Sequence, residues 1–138
     1  MDNMAYKYQK NMDAGAALSS SSQDFYTSSI HCYYYAVLQC MKYRLAHVKD
    51  AISYEEQTEK AERSGDGTHE FVITEIANRM ETAPKNVRSF KEDIRILKQK
   101  RVQADYGERL FTQIESLECR ALAERLISSI NHYTKIAV

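Results

Sequence analysis

The chain is 138 residues long, room for one domain with a buried core and too short for a two-domain enzyme. Nineteen Lys and Arg balance nineteen Asp and Glu, so no global electrostatic pull draws it to nucleic acid or membrane, and any such affinity must be local. Four Gly and one Pro come to about 4% against roughly 12% in average usage, too little turn chemistry for a β-rich or Gly-loop architecture.

Hydrophobic residues at 43% and charged residues at 28% fit a globular chain. The cysteines, Cys32, Cys40 and Cys119, are odd in number and lack C-x-x-C spacing. No stretch resembles a signal peptide or a membrane span, so the chain reads as a reduced, cytoplasmic protein that does not enter a membrane. Cys32 and Cys40 fall in one predicted helix, where a rise of about 12 Å puts a mutual disulfide out of reach.

Hydrophobic periodicity predicts four strong helical segments and one weak one. The first, about Asn3 to Leu18, carries Met4, Tyr8 and Met12 at four-residue steps and runs into Ser19 to Ser22, whose hydroxyls are N-cap candidates. The second, about Gln23 to Ala51, has a broad stripe through Tyr26, Ile30, Tyr33, Val37, Met41 and Val48, which implies burial against more than one neighbour. From Ser53 to Thr68 the chain is polar, with Ser53 and Glu56 spaced as a capping box and a loop at Ser64 to Thr68.

The third segment, about His69 to Met80, is the short, weak one and places His69, Val72, Ile76 and Met80 on one face. Thr82-Ala83-Pro84 starts the fourth, since proline is tolerated in a first helical turn. There Val87, Phe90, Ile94 and Leu97 repeat at helical spacing, and one more step lands on Arg101. An arginine on an apolar seam needs a partner, a cleft or an interface, unless its stem packs and its head reaches solvent. The last segment, about Gly107 to Tyr133, carries Leu110, Ile114, Leu117, Ala121, Leu122, Leu126 and Ile130. Together these segments predict an all-α, up-and-down antiparallel bundle of four to five helices in a single domain.

The histidines, His31, His47, His69 and His132, show no metal-ligand spacing, and no phosphate-gripping Gly-Lys-Ser/Thr element exists, so neither metal nor cofactor is expected. Charge is locally uneven. Pro84 to Arg101 holds seven Lys or Arg against two acids, whereas Glu55 to Glu81 holds eight acids against three bases. Arg88, Lys91, Arg95 and Lys98 form one row about 15 Å long, able to follow a nucleic-acid backbone or to pair with acids of a neighbouring helix. Arg125 and His132 lie two turns apart and could jointly approach a phosphodiester.

Three stretches carry a family resemblance. Tyr34, Tyr35 and Ala36 within Ser28 to Leu38, the turn from Gly67 to Val72 around His69, and Arg101-Val102-Gln103-Ala104-Asp105-Tyr106 resemble the motifs of HEPN domains in order and spacing, over roughly residues 3 to 133. These are small helical bundles that accompany minimal nucleotidyltransferases or act as RNA-cleaving toxins.

The resemblance implies a homodimer with a cleft flanked by the helix ends near the Arg motif. A nucleotide, an RNA segment or a nucleotidyltransferase protein would bind there through Arg101, Asp105, Tyr106, Tyr34 and His69, and through Arg88, Lys91, Arg95 and Lys98. Ribonuclease members of the family carry a histidine shortly after the arginine. Tyr106 stands in that place, and a tyrosine, with a reference pKa of about 10, is a poor general base near neutral pH, so a non-catalytic member is expected. The alternatives are a metal-independent endoribonuclease using Arg125 with His132, or Arg101 with His132 across the bundle, and a purely structural interaction module.

Overall fold

The computed structural model describes residues 2–80 and 84–134. Among them are six helices and no β-strand: α1 (Met4–Ser19), α2 (Tyr26–His47), α3 (Tyr54–Ser64), α4 (Gly67–Arg79), α5 (Pro84–Tyr106) and α6 (Gln113–Tyr133). The all-α bundle is as expected, with one helix more than the apolar pattern suggests. The addition is α3. Its residues are mostly polar, so it offers little apolar periodicity, yet Ser53 Oγ accepts from the Glu56 amide and Gly65 closes the helix at φ +77°.

Successive helices run in alternating directions. Asn11 meets Gln39 and Ser19 meets Tyr33, so α1 and α2 are antiparallel. His31 meets Asp105 and Tyr34 lies under Arg101, so α5 also opposes α2. Ser29 meets Ser116 and Cys40 meets Asn131, so α6 runs with α2. Helix α2 is therefore the axis of the bundle, touching every other helix. Its broad stripe follows from this, with Ile30, Tyr33, Tyr34, Ala36, Val37, Leu38, Cys40, Met41 and Leu45 all buried.

A chain of buried hydroxyls locks α1, α2 and α6 in register. Ser29 Oγ donates to the Tyr26 carbonyl at 2.5 Å. Its single proton is then spent, so Ser116 must donate to Ser29 at 2.5 Å, Ser19 to Ser116 at 2.7 Å and Tyr33 to Ser19 at 2.5 Å. All four side chains are fully buried. Next to them α1 passes close to α2 at Gly15, where an added Cβ would lie 2.5 Å from Tyr33 Cε1.

Three local expectations change. The Ser19 to Ser22 tract does not cap α2: the N-cap is Phe25, without a side-chain cap, and Ser19 is spent inside the core. The α5 to α6 connection is longer than expected, because Thr112 and Glu115 form a capping box that starts α6 at Gln113. Leu110, Ile114 and Leu117 consequently face outward at 74%, 70% and 43% exposure, while Phe111 fills the core. Thr82 and Ala83, the expected start of the fourth segment, lie outside the described residues; Pro84 does open α5. No described helix is long and apolar enough to cross a membrane.

Candidate functional site

The seam of α5 buries Phe90, Ile94 and Leu97, and its next position is Arg101, only 7% exposed. Its guanidinium carbon lies 4.9 Å from the Tyr34 ring centre, 5.7 Å from Tyr35 and 5.9 Å from Tyr106, a three-sided aromatic enclosure. Hydrogen bonding is sparse by comparison. Nη1 is 3.5 Å from Asp105 Oδ2 and Nε has no partner. Nε is thus a buried donor without an acceptor among the described residues, and the Nη1 contact to Asp105 sits at the long limit of a hydrogen bond. Burial opposes its charge, but Tyr35, Tyr34 and Asp105 outweigh burial and hold its pKa above the ordinary arginine value.

Behind the enclosure, the Tyr34 hydroxyl and His69 Nδ1 are hydrogen bonded at 2.9 Å. His69 enters from the first turn of α4, whose start is set by Gly65 and Gly67, both at positive φ. Burial, then the Arg101 charge, pushes the His69 pKa below 6.5, so the imidazole is mainly neutral at pH 7. Burial pushes the Tyr34 phenol up to about 12 although Arg101 pulls the other way.

In front of it, Asp105 Oδ2 is shared between Arg101 Nη1 and His31 Nδ1, the latter at 2.9 Å. His31 packs 4.5 Å from the Tyr35 ring centre and its side chain is 51% exposed. With Nδ1 held by the carboxylate, Nε2 is the ring nitrogen without a partner among the described residues. His31 and Asp105 also line a shallow cavity of about 380 Å³ with Leu18, Thr27, Ser28, Cys32 and Ala104. The Cys32 thiol is pushed up by burial and by Asp105, which leaves it protonated and a poor nucleophile. The cluster thus pairs an unsatisfied cation with a carboxylate-oriented imidazole, a combination able to hold an anion and to move a proton.

Of the residues singled out in the sequence, Arg101, Asp105, Tyr106, Tyr34 and His69 come together here. Arg88, Lys91, Arg95 and Lys98 form an outer row on α5, where Arg95 pairs with Glu92, and Lys98 with Glu70. Arg125 is elsewhere, held by Asp93 through two hydrogen bonds of 2.9 and 3.2 Å. His132 packs on Tyr133, whose hydroxyl meets Asn86 near the opposite end of α5, roughly 22 Å of helix from Arg101. The fold therefore brings neither Arg125 nor His132 to Arg101. His31 and Tyr35 are the site residues that sequence reasoning missed. The available signal was their spacing, since His31 lies three and four residues before Tyr34 and Tyr35 on one helix face.

No protein-family model, no curated protein and no solved structure matches this chain.

Proposed function

We propose that this chain is a HEPN-like domain that binds a phosphate-bearing ligand, a nucleotide or an RNA segment, in the cleft at Arg101, Asp105 and Tyr106. One observation carries the reading: Arg101 is a buried cation whose Nε has no hydrogen-bond partner among the described residues and whose Nη1 has only a 3.5 Å contact to Asp105. A phosphate oxygen supplies the missing acceptor, and a guanidinium presents paired donors to it. Tyr106, 78% exposed and close to the guanidinium, offers a ring face to a base. The exposed Leu110, Ile114 and Leu117 support a homodimer. The same reading names a nucleotidyltransferase as the protein partner. Titrating wild type and Arg101→Ala with nucleotides and with RNA tests it. Saturable binding lost in the variant is expected, and no binding by either protein overturns it.

The His31 pair favours a second reading, a metal-independent ribonuclease using Arg101 with His31 instead of His132. His31 Nε2 would take the proton of a ribose 2′-hydroxyl, the 2′-oxygen would displace the 5′-oxygen at phosphorus, and water would protonate the leaving oxygen. Arg101 would hold the charge that builds on the phosphoryl oxygens. Incubation with RNA in chelator decides it. Cleavage that leaves 2′,3′-cyclic ends and vanishes in His31→Gln is expected, and intact RNA at high protein excess ends the reading.

A further inference from the structure

We propose that the outward face of α5 is a track for single-stranded RNA that ends on Tyr106 at the mouth of the cleft. The proposal rests on the phosphate-binding reading above and adds the form of the ligand.

The sequence positions carry the geometry. Arg88, Lys91, Arg95, Lys98, Val102 and Tyr106 follow one another at three- or four-residue steps, which places all six within one narrow stripe of a helix. The stripe is open: Arg88, Lys91, Arg95, Val102 and Tyr106 are exposed and Lys98 is half-buried. From Arg88 to Tyr106 it runs about 27 Å, with successive cations about 4.5 to 6 Å apart along the axis. That spacing matches neighbouring phosphates, which lie about 3.4 Å apart along a stacked strand and farther apart when it is drawn out.

Two shallow grooves follow the stripe. One, of about 300 Å³, lies between α4 and α5 over Lys91, Arg95 and Lys98. The other, of about 390 Å³, continues over Arg95, Lys98, Gln99, Val102 and Gln103. Arg95 and Lys98 belong to both, and the second groove reaches Val102, one turn before Tyr106. Glu92 and Glu70 pair with Arg95 and Lys98 on this face. Both pairs reach solvent, the second through Glu70, and surface pairs of this kind hold weakly and exchange readily for a phosphate.

Tyr106 selects between nucleic-acid forms. It is the most exposed of the large aromatic side chains among the described residues, and a ring in that position receives an unpaired base. Bases in a duplex are already stacked on each other and present no free face. The row of cations holds phosphates without reading sequence, so the track is selective for single strands and tolerant of sequence.

The probes are 5′-fluorescein oligouridylates of two, four, six and eight nucleotides, a hairpin duplex of the same charge, and polyglutamate, read by anisotropy at several salt concentrations. Affinity is expected to rise about tenfold from two to six nucleotides and then level, as the added phosphates reach the cations. The exposed double variant Arg88→Ala/Lys91→Ala should flatten that rise and lower the salt slope by roughly 1.4, with the dinucleotide affinity and melting temperature unchanged. Tyr106→Ser should weaken every single-stranded probe and leave the duplex unaffected. A flat length series with binding still dependent on Arg101 overturns the track and leaves the phosphate site standing. Loss of all oligonucleotide binding overturns both. Equal affinity for the duplex, or for polyglutamate, overturns the single-strand assignment.

Discussion

Replacing Arg101 by methionine separates a binding cation from a structural one. The substitution keeps an unbranched apolar stem in the seam behind Leu97 and removes the guanidinium. The loss comprises attraction to three rings at 4.9, 5.7 and 5.9 Å and one contact of 3.5 Å to Asp105. One cation shared by three faces contributes about 2 kcal/mol, and the long carboxylate contact adds about 1 kcal/mol at most. Against this stands the cost of keeping a charge 93% out of water with Nε unpaired, several kcal/mol for a buried ion. Asp105 is not orphaned, since His31 holds it at 2.9 Å. Since the rings and Asp105 outweigh burial at this charge, while methionine keeps the stem packed, the net expectation is a loss of about 0 to 1 kcal/mol, or about 0 to 4 °C in melting temperature for a domain of this size. Thermal melting by circular dichroism and nucleotide titration on the same sample check it. Melting temperature should fall by no more than about 4 °C while phosphate-ligand affinity falls at least about tenfold, as expected of a residue retained for binding. A fall of more than about 5 °C with binding unchanged would refute the reasoning and make Arg101 a structural cation.

Gly15→Ala should cost about 2 kcal/mol, because the clash with Tyr33, whose hydroxyl is fixed by Ser19, outweighs a helix-propensity gain of about 1 kcal/mol; chemical denaturation measures it, and in Tyr33→Leu the penalty should shrink by at least about half. The pH dependence follows from His69. Its folded pKa lies below 6.5 because burial disfavours the imidazolium, so the unfolded chain takes up the proton first. That stabilisation is complete above about pH 6.5 and is lost as pH falls toward the folded value. Melting temperatures from pH 7.5 to 5 should therefore decline less in His69→Gln than in wild type, and identical slopes would contradict the assignment. Leu110→Lys combined with Ile114→Lys, both at outward positions, should convert a homodimer to monomer by light scattering without changing the circular dichroism spectrum.

The bundle was legible wherever apolar residues repeat at helical spacing. Phe90, Ile94 and Leu97 are buried as the seam predicts, and Arg101 continues it into the interior. Spacing misled where apolar residues serve the surface: Leu110, Ile114 and Leu117 keep a helical rhythm yet point outward, because Phe111 takes the core position. Helix α3 was obscured for the opposite reason, since a helix that buries only Gln57 and Ala61 has almost no apolar pattern. Within the site, the motif resemblance reached Arg101, Asp105, Tyr106, Tyr34 and His69. His31 escaped because its role depends on the register of α2 against α5, a pairing 74 residues apart along the chain. Arg125 and His132 illustrate the reverse case, as residues two turns apart on one helix can each be engaged by different neighbours.

The buried hydroxyl chain has a consequence for inheritance. Because the Tyr26 carbonyl can only accept, donation runs one way, from Tyr33 through Ser19 and Ser116 to Ser29. An exchange at any single member strands a neighbour's proton or lone pair in the core, at about 1 to 3 kcal/mol. Neutral drift through such intermediates is slow. In diverging descendants of this chain, the three serines and the Tyr33 hydroxyl should persist together or be replaced together by an apolar set. Gly15 should be free to change only in lineages where Tyr33 has already given way.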